Sequence, residues 1–269
     1  MDSSTSHQVT FASFYDFYDD PEYRQDEIQM YRDLASEVGD SVLELACGTG
    51  LITIELARTG LHVTGLDISP DMLQVAQKKV LQEDPDVRSR ISLVEADMKD
   101  FKLDDMFDGA FIPNNSLGYL TALADQKTCL QAIHEHLNPQ GLMVIEERNY
   151  TPSILMGMLQ RRAAITVHRA AVNPATGKYT TYNSIIHNID FVTQTIYSRQ
   201  FIDEIQDDGT VKRYIRGDGG VGRAHYFNQF ELRLLIEQAG FVVKALYGGN
   251  AKETLTTESY SMIFVAEKK

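Results

Sequence analysis

The chain has 269 residues, 43% of them hydrophobic and 23% charged, enough to fill one large domain or two small ones. Its 38 acidic against 25 basic side chains leave a formal net charge of −13, and an acidic surface of that kind repels phosphate backbones and argues against a nucleic-acid substrate. No apolar run reaches membrane-span length, Met1–His7 lacks the basic and apolar parts of a secretion signal, and Cys47 and Cys129 make no disulfide framework, so a cytoplasmic protein is expected.

In chain order, residues 1–10 are polar, and Phe11–Tyr18 is dense in aromatics. A helix is predicted from Asp20-Pro21-Glu22, where Pro and acids mark a first turn. Ile28, Tyr31, Leu34, Ala35 and Val38 carry it at helical spacing to a stop at Gly39. Strand and helix then alternate. Strands are predicted at 42–47, 62–67, 91–95, 108–113 and 141–147, with helices near 50–59, 70–83, 118–124 and 126–137. Ser69 and Pro70 read as cap and first helical position, and Asn138–Gly141 as a turn. This alternation implies a parallel sheet with right-handed crossovers.

Beyond residue 150 the texture changes. Residues 163–216 are rich in Thr, Ile, Val, Tyr and Phe, with turn signals at Asn173–Lys178 and Asp207–Gly209, and predict three or four antiparallel strands. A helix over Gln229–Ala239, stopped by Gly240, and strands at 241–247 and 260–267 return to the first pattern. The antiparallel stretch is therefore an insertion. Expected are an N-terminal aromatic segment and helix covering the site (1–39), a core built from 40–150 and 223–269, and an inserted antiparallel lid for the substrate (151–222).

The chemistry concentrates at the strand ends. Val42–Gly50 is an apolar strand with an acid, Glu44, inside it, ending in a glycine turn at Gly48 and Gly50. Such a turn lets a ligand approach the backbone closely. Seventeen residues after Gly50, at the end of the second strand, Asp67 can accept hydrogen bonds from ribose hydroxyls; its other role would be to cap the next helix, which Ser69 already does. Asp97 and Met98 follow the third strand, where a carboxylate can accept from an adenine amino group and a thioether can line the ring. Pro113-Asn114-Asn115-Ser116 follows the fourth, and Glu146-Glu147 end the fifth, where at most one of two adjacent acids faces the site. A dinucleotide site usually carries a third glycine where this chain has Thr53, which disfavours NAD without removing it.

Glu44–Gly50, Gly65–Leu73, Ala96-Asp97-Met98 and Leu137–Gly141 resemble the successive motifs of class I S-adenosylmethionine-dependent methyltransferases, over about residues 40–150 and more weakly over 225–269. Tyr15-Asp16-Phe17-Tyr18, Asn115–Leu120 and the inserted strands resemble small-molecule members, such as amino-sugar N,N-dimethyltransferases and glycine N-methyltransferase-like proteins. The resemblance implies an α/β fold, a doubly wound Rossmann-like seven-stranded mixed sheet with an inserted antiparallel β lid. It implies S-adenosylmethionine as cofactor, held by Tyr23, Glu44, Ala46, Gly48, Asp67, Ile68, Met72, Asp97, Met98, Pro113 and Asn114. Tyr15, Asn115, Ser116 and Tyr119 are expected at the substrate, and Tyr18, Glu147 and His225 as groups that could hold or remove its proton, ahead of His187. The expected reaction is methyl transfer to a small molecule, at N or O, without a metal, a membrane or nucleic acid; a homodimer stays open. The alternative is a protein that binds the same cofactor for other chemistry, pericyclase-like or regulatory.

Overall fold

The computed structural model describes residues 10–18, 24–174, 176–217 and 220–269. A 3₁₀ turn at Phe11–Phe14 leads into the short helix α1 (Tyr15–Tyr18), and α2 spans Gln25–Ala35. The start expected for that helix at Asp20–Glu22 lies outside the described residues. Next come β1 (Ser41–Leu45), α3 (Leu51–Ala57), β2 (His62–Asp67), α4 (Pro70–Val80), α5 (Pro85–Arg88), β3 (Ile91–Glu95), β4 (Phe107–Ile112), α6 (Leu123–His136) and β5 (Leu137–Arg148). The insertion holds α7 (Pro152–Gln160), β6 (Ile165–Val172), β7 (Tyr179–Asp190), β8 (Thr195–Ile205), β9 (Val211–Ile215) and β10 (Gly222–His225), and α8 (Gln229–Gln238), β11 (Phe241–Tyr247) and β12 (Ser261–Lys268) follow it.

The main sheet runs β3-β2-β1-β4-β5-β12-β11, with β1 to β5 parallel and β12 antiparallel to both of its neighbours. Strand β1 is buried from Val42 to Leu45, and apolar there except at Glu44, because both faces of the sheet are covered. Val42 faces Ile28, Tyr31, Leu34 and Leu56 on the α2–α3 side, while its neighbour Leu43 faces Leu130, Ile133 and Leu235 on the α6–α8 side. Fully burying a side chain such as Phe111 or Leu56 stabilises the fold by about 1.5–3 kcal/mol. The strand order reverses between β1 and β4, and in such sheets the crevice for a ligand opens at the carboxyl ends beside that reversal.

The inserted sheet is antiparallel, in the order β10-β8-β7-β6, and β9 shares with β10 the edge of β8 opposite β7. It has five strands rather than three or four, because two short strands lie end to end along β8: β9 against Phe201–Ile205 and β10 against Thr195–Ser198. The sheet therefore reaches His225, three residues past the boundary expected at 222. The helix expected over 118–124 is only a 3₁₀ turn at Leu117–Tyr119. Gly118 is a poor helix former, and its N–H is donated to Glu147 Oε1 at 3.1 Å instead of a helical carbonyl.

The insertion meets the N-terminal segment over the crevice. Phe11, Phe14 and Met72 pack with Tyr182, Ile202 and Tyr214 of the inserted sheet, and the Phe14 and Tyr214 rings lie 4.4 Å apart. Among the described residues no helix is long and apolar enough to cross a membrane.

Candidate active site

The turn after β1 is tightly specified. Ala46, Gly48 and Gly50 have φ of 56°, 56° and 76°, in the left-handed region. A non-glycine residue there costs roughly 1–2 kcal/mol. The turn is held by Cys47 N–H to Leu66 O at 2.9 Å and Gly50 N–H to Cys47 O at 2.9 Å. Asp67 ties it to the next strand: its Oδ2 accepts from Gly48 N–H and its Oδ1 from Ser69 N–H, both at 2.8 Å. One carboxylate thus fixes the first turn and the entry to α4. The close helix-to-strand packing that a third glycine gives in dinucleotide folds is supplied from the other side. A Cβ on Gly65 of β2 would lie 2.8 Å from Thr53 Oγ1 and 3.0 Å from Cys47 Sγ. The Thr53 hydroxyl donates to the Glu44 carboxylate, which is 1% exposed inside β1.

These turns line a cavity of about 760 Å³ at the carboxyl edge of the sheet, within the range of small-molecule and cofactor pockets. Glu44, Ala46 and Gly48 line it from β1 and its turn, Asp67, Ile68 and Met72 from the end of β2 into α4, Asp97 and Met98 from beyond β3, and Pro113 and Asn114 from beyond β4. Tyr15, Ser116 and Tyr119 also line it. Tyr23 lies outside the described residues, as does the side chain of Tyr18.

Three expected residues do not face the cavity. Asn115 supports the backbone behind it, accepting from Arg148 N–H at 2.8 Å through Oδ1. Glu147, 1% exposed, accepts from Gly118 N–H and does not line the cavity. Burial pushes its carboxyl well above the usual range; the Gly118 N–H works against this, and the neighbouring Glu146 adds to it. His225, the last residue of β10, pairs through Nε2 with Glu231 Oε1 at 3.0 Å, so it anchors α8 to the inserted sheet. Glu146 is also structural, accepting from Tyr31 Oη at 2.7 Å and Ser261 Oγ at 3.0 Å. His187 is exposed on β7. Neither acid at the end of β5 reaches the site, where the alternation rule had allowed one.

The sequence reading missed the walls supplied by distant segments. Thr10, Phe11 and Ala12 line the cavity from the N-terminal side, and Tyr214, Arg216 and Gly217 from the end of β9. The alternation of Tyr214 and Arg216 is a strand signal, but nothing local tells which face of the lid it serves. Asp16 clips the N-terminal segment onto the glycine turn, accepting from Thr49 Oγ1 at 2.6 Å and Lys79 Nζ at 3.1 Å.

The residues present fit S-adenosylmethionine. Each oxygen of Asp67 spends one lone pair on a backbone N–H and keeps another for a ribose hydroxyl. Ile68, 64% exposed, offers apolar surface that a bound ring would cover, and the buried Met98 lines the same cavity. Asp97 stands where an exocyclic amine can be held, and the turn from Ala46 to Gly50 where the amino-acid end can lie along the backbone. Among the described residues, no three His, Cys, Asp or Glu side chains are grouped to hold a metal ion.

Comparison with known proteins agrees with this geometry. Residues 42–141 match the family model described as a methyltransferase domain. The YqeM protein of Bacillus subtilis is 37% identical over 106 residues, which are 39% of this chain and 41% of that one. The dTDP-3-amino-3,6-dideoxy-alpha-D-glucopyranose N,N-dimethyltransferase of Streptomyces fradiae is 28% identical over 180 residues, 60% of this chain and 68% of that one. The chain thus spans less than half of the first relative and about two thirds of the second. The CcbJ methyltransferase from Streptomyces caelestis shares the whole fold, with a TM-score of 0.75 at 19% identity over 95% of this chain and 96% of that one. Motif, cradle and fold converge: residues 42–141 are similar to a methyltransferase domain, and the chain as a whole shares the fold of methyltransferases of known structure.

Proposed function

We propose that the protein methylates the amine nitrogen of a small-molecule acceptor. The observation that carries this reading is the chemistry of the cavity wall. Its described carboxylates, Glu44, Asp67, Asp71 and Asp97, belong to β1 and to the segments around α4 and beyond β3. The wall made by the N-terminal segment, the turn after β4 and the inserted sheet presents Tyr15, Asn114, Ser116, Tyr119 and Tyr214, with no carboxylate or imidazole among its described residues. An alcohol must give up its proton as the new bond forms and so needs a placed base. A neutral amine attacks through its lone pair and can release its proton to water afterwards.

When bound, S-adenosylmethionine would supply a methyl on a sulfonium, which an acceptor nitrogen would take through its lone pair as the S–C bond broke onto sulfur, leaving S-adenosylhomocysteine and an ammonium product. The protein's share is alignment and exclusion of water. Asp67 and the glycine turn fix one partner against the sheet. The rings of Tyr15, Tyr119 and Tyr214 confine the other, and residues 1–39 and 151–222 act as the cover over a core made by 40–150 and 223–269. The N,N-dimethyltransferase name of the Streptomyces fradiae relative supports nitrogen as the target. The free, buried thiols of Cys47 and Cys129 suit a cytoplasmic setting.

The test is incubation with S-adenosylmethionine and matched pairs of amines and alcohols, reading S-adenosylhomocysteine and product mass. Methylated amines with unreacted alcohols support the reading. O-methyl products, or a changed acceptor without S-adenosylhomocysteine, overturn it.

A further inference from the structure

Two described guanidinium groups line the cavity, and they are not alike. Arg24 forms an ion pair with Glu27, with Nε donating to Oε2 at 2.6 Å, so its charge is answered within the chain. Among the described residues, Arg216 is not answered in this way. It follows β9, with its N–H donated to Gln200 O at 3.0 Å, which continues the β8–β9 pairing and directs the side chain inward. Its Nη1 donates to Tyr119 Oη at 2.7 Å and to Gln200 Oε1 at 2.6 Å. The guanidinium carbon lies 5.0 Å from the centre of the Tyr119 ring and 5.9 Å from that of Tyr15. Every one of these partners is uncharged. Among the described residues no carboxylate forms an ion pair with Arg216, whereas Arg213, three positions earlier, holds Asp203 through two bonds of 2.6 and 2.7 Å.

A guanidinium stays protonated at any working pH and presents five donors, of which the described hydrogen bonds use one nitrogen's worth. Holding such a charge in a cleft walled by rings costs free energy until an anion meets it. In a chain with net charge −13, carboxylates are plentiful, yet none of the described ones pairs with this guanidinium. The free fork of the guanidinium matches a planar or tetrahedral oxyanion through paired bonds, as arginine does for carboxylate and phosphate. The phenol of Tyr119 and the amide of Gln200 fix its orientation beforehand.

We infer that Arg216 is the specificity determinant of the acceptor site and receives an oxyanion, carboxylate or phosphate, carried by the acceptor itself. This deepens the reading of the protein as a small-molecule N-methyltransferase and rests on it. The acceptor class is then an amine bearing an acidic group at a distance from the nitrogen, enclosed by Tyr15, Tyr119 and Tyr214.

The test uses the full chain saturated with S-adenosylhomocysteine, as wild type, Arg216→Gln and Arg216→Lys. Melting temperature is followed against inorganic phosphate and against acetate, with ionic strength held constant by chloride. A saturable rise is expected for wild type with at least one anion, absent in Arg216→Gln and partly kept in Arg216→Lys, and the better anion tells carboxylate from phosphate. In parallel, ethanolamine, O-phosphoethanolamine and β-alanine are compared as acceptors. Wild type should favour an anionic amine by about tenfold or more in kcat/KM, and Arg216→Gln should lose that preference while its Kd for S-adenosylmethionine stays within about twofold. No saturable rise in wild type, or an equal rise in Arg216→Gln, overturns the inference. So does a large rise in cofactor Kd on Arg216→Gln, which would assign the guanidinium to the cofactor's own carboxylate. An anion response that depends on Arg216, with no amine methylated, would instead leave the oxyanion site standing and count against the N-methyltransferase reading.

Discussion

Glu147→Gln separates a group that acts on the substrate from one that supports the wall behind it. Glu147 is 1% exposed and accepts from the Gly118 N–H, with the Leu117 backbone N–H beside it, while its Oε2 has no hydrogen-bond partner among the described residues. Burial raises its pKa well above the ordinary carboxylate value, so the fold prefers the protonated form. Its contribution to stability is therefore complete below the unfolded value, about 4.3, and is lost as pH rises towards the folded value. Glutamine keeps the Gly118 bond through its oxygen and has no proton to lose. The two proteins should melt alike at the acid end. Above it the variant should gain about 1.4 kcal/mol for each pH unit until the folded pKa is passed. For a chain of this size that is about 2–3 °C in Tm per unit. Scanning Tm from acid to mildly alkaline pH, with S-adenosylhomocysteine release measured on the same samples, makes the check. Turnover should hold within about twofold of wild type. Parallel melting curves would show an ionised Glu147, and lost turnover with intact cofactor binding would place it in the reaction; either result refutes the argument.

Other variants probe the cradle. Asp67→Asn removes the charge that orders the glycine turn and receives the ribose, and it should weaken S-adenosylmethionine binding about 10- to 100-fold in calorimetry, since a hydrogen bond to a charged group contributes about 1.5–3 kcal/mol; unchanged affinity would contradict the assignment. Gly65→Ala drives a Cβ into Thr53 and Cys47 on a strand paired on both sides, and it should cost about 1–3 kcal/mol in urea unfolding. Asp16→Ala should raise the cofactor KM several-fold with little change in Tm, because the clip to Thr49 and Lys79 is partly exposed and each such contact contributes about 1 kcal/mol or less. A fall in kcat with KM unchanged would give Asp16 a different role.

The cofactor half of the site was legible because its chemistry is local. The positive φ at Gly48 and Gly50 is written as glycine, and the acids at 67 and 97 stand at the ends of strands whose apolar runs are plain in the sequence. The exchange of a third glycine for Thr53 also had a legible partner in Gly65, but the contact between them appears only when α3 packs on β2. The acceptor half is assembled from segments far apart in the chain. Tyr119 meets Arg216 across 97 positions, and the five residues of β9 find their place only by pairing with β8. His225 and Glu147 looked reactive as residue types. Their neighbours, Glu231 in the first turn of α8 and the N–H of Gly118, make them structural.

The cavity at the carboxyl edge of β1, β2 and β3 is built to bind S-adenosylmethionine. Isothermal titration of the purified chain tests it most directly. Saturable binding with one site per chain is expected, with competition by S-adenosylhomocysteine and no heat from NAD under the same conditions. No binding at millimolar S-adenosylmethionine, or saturable binding of NAD in its place, would contradict it.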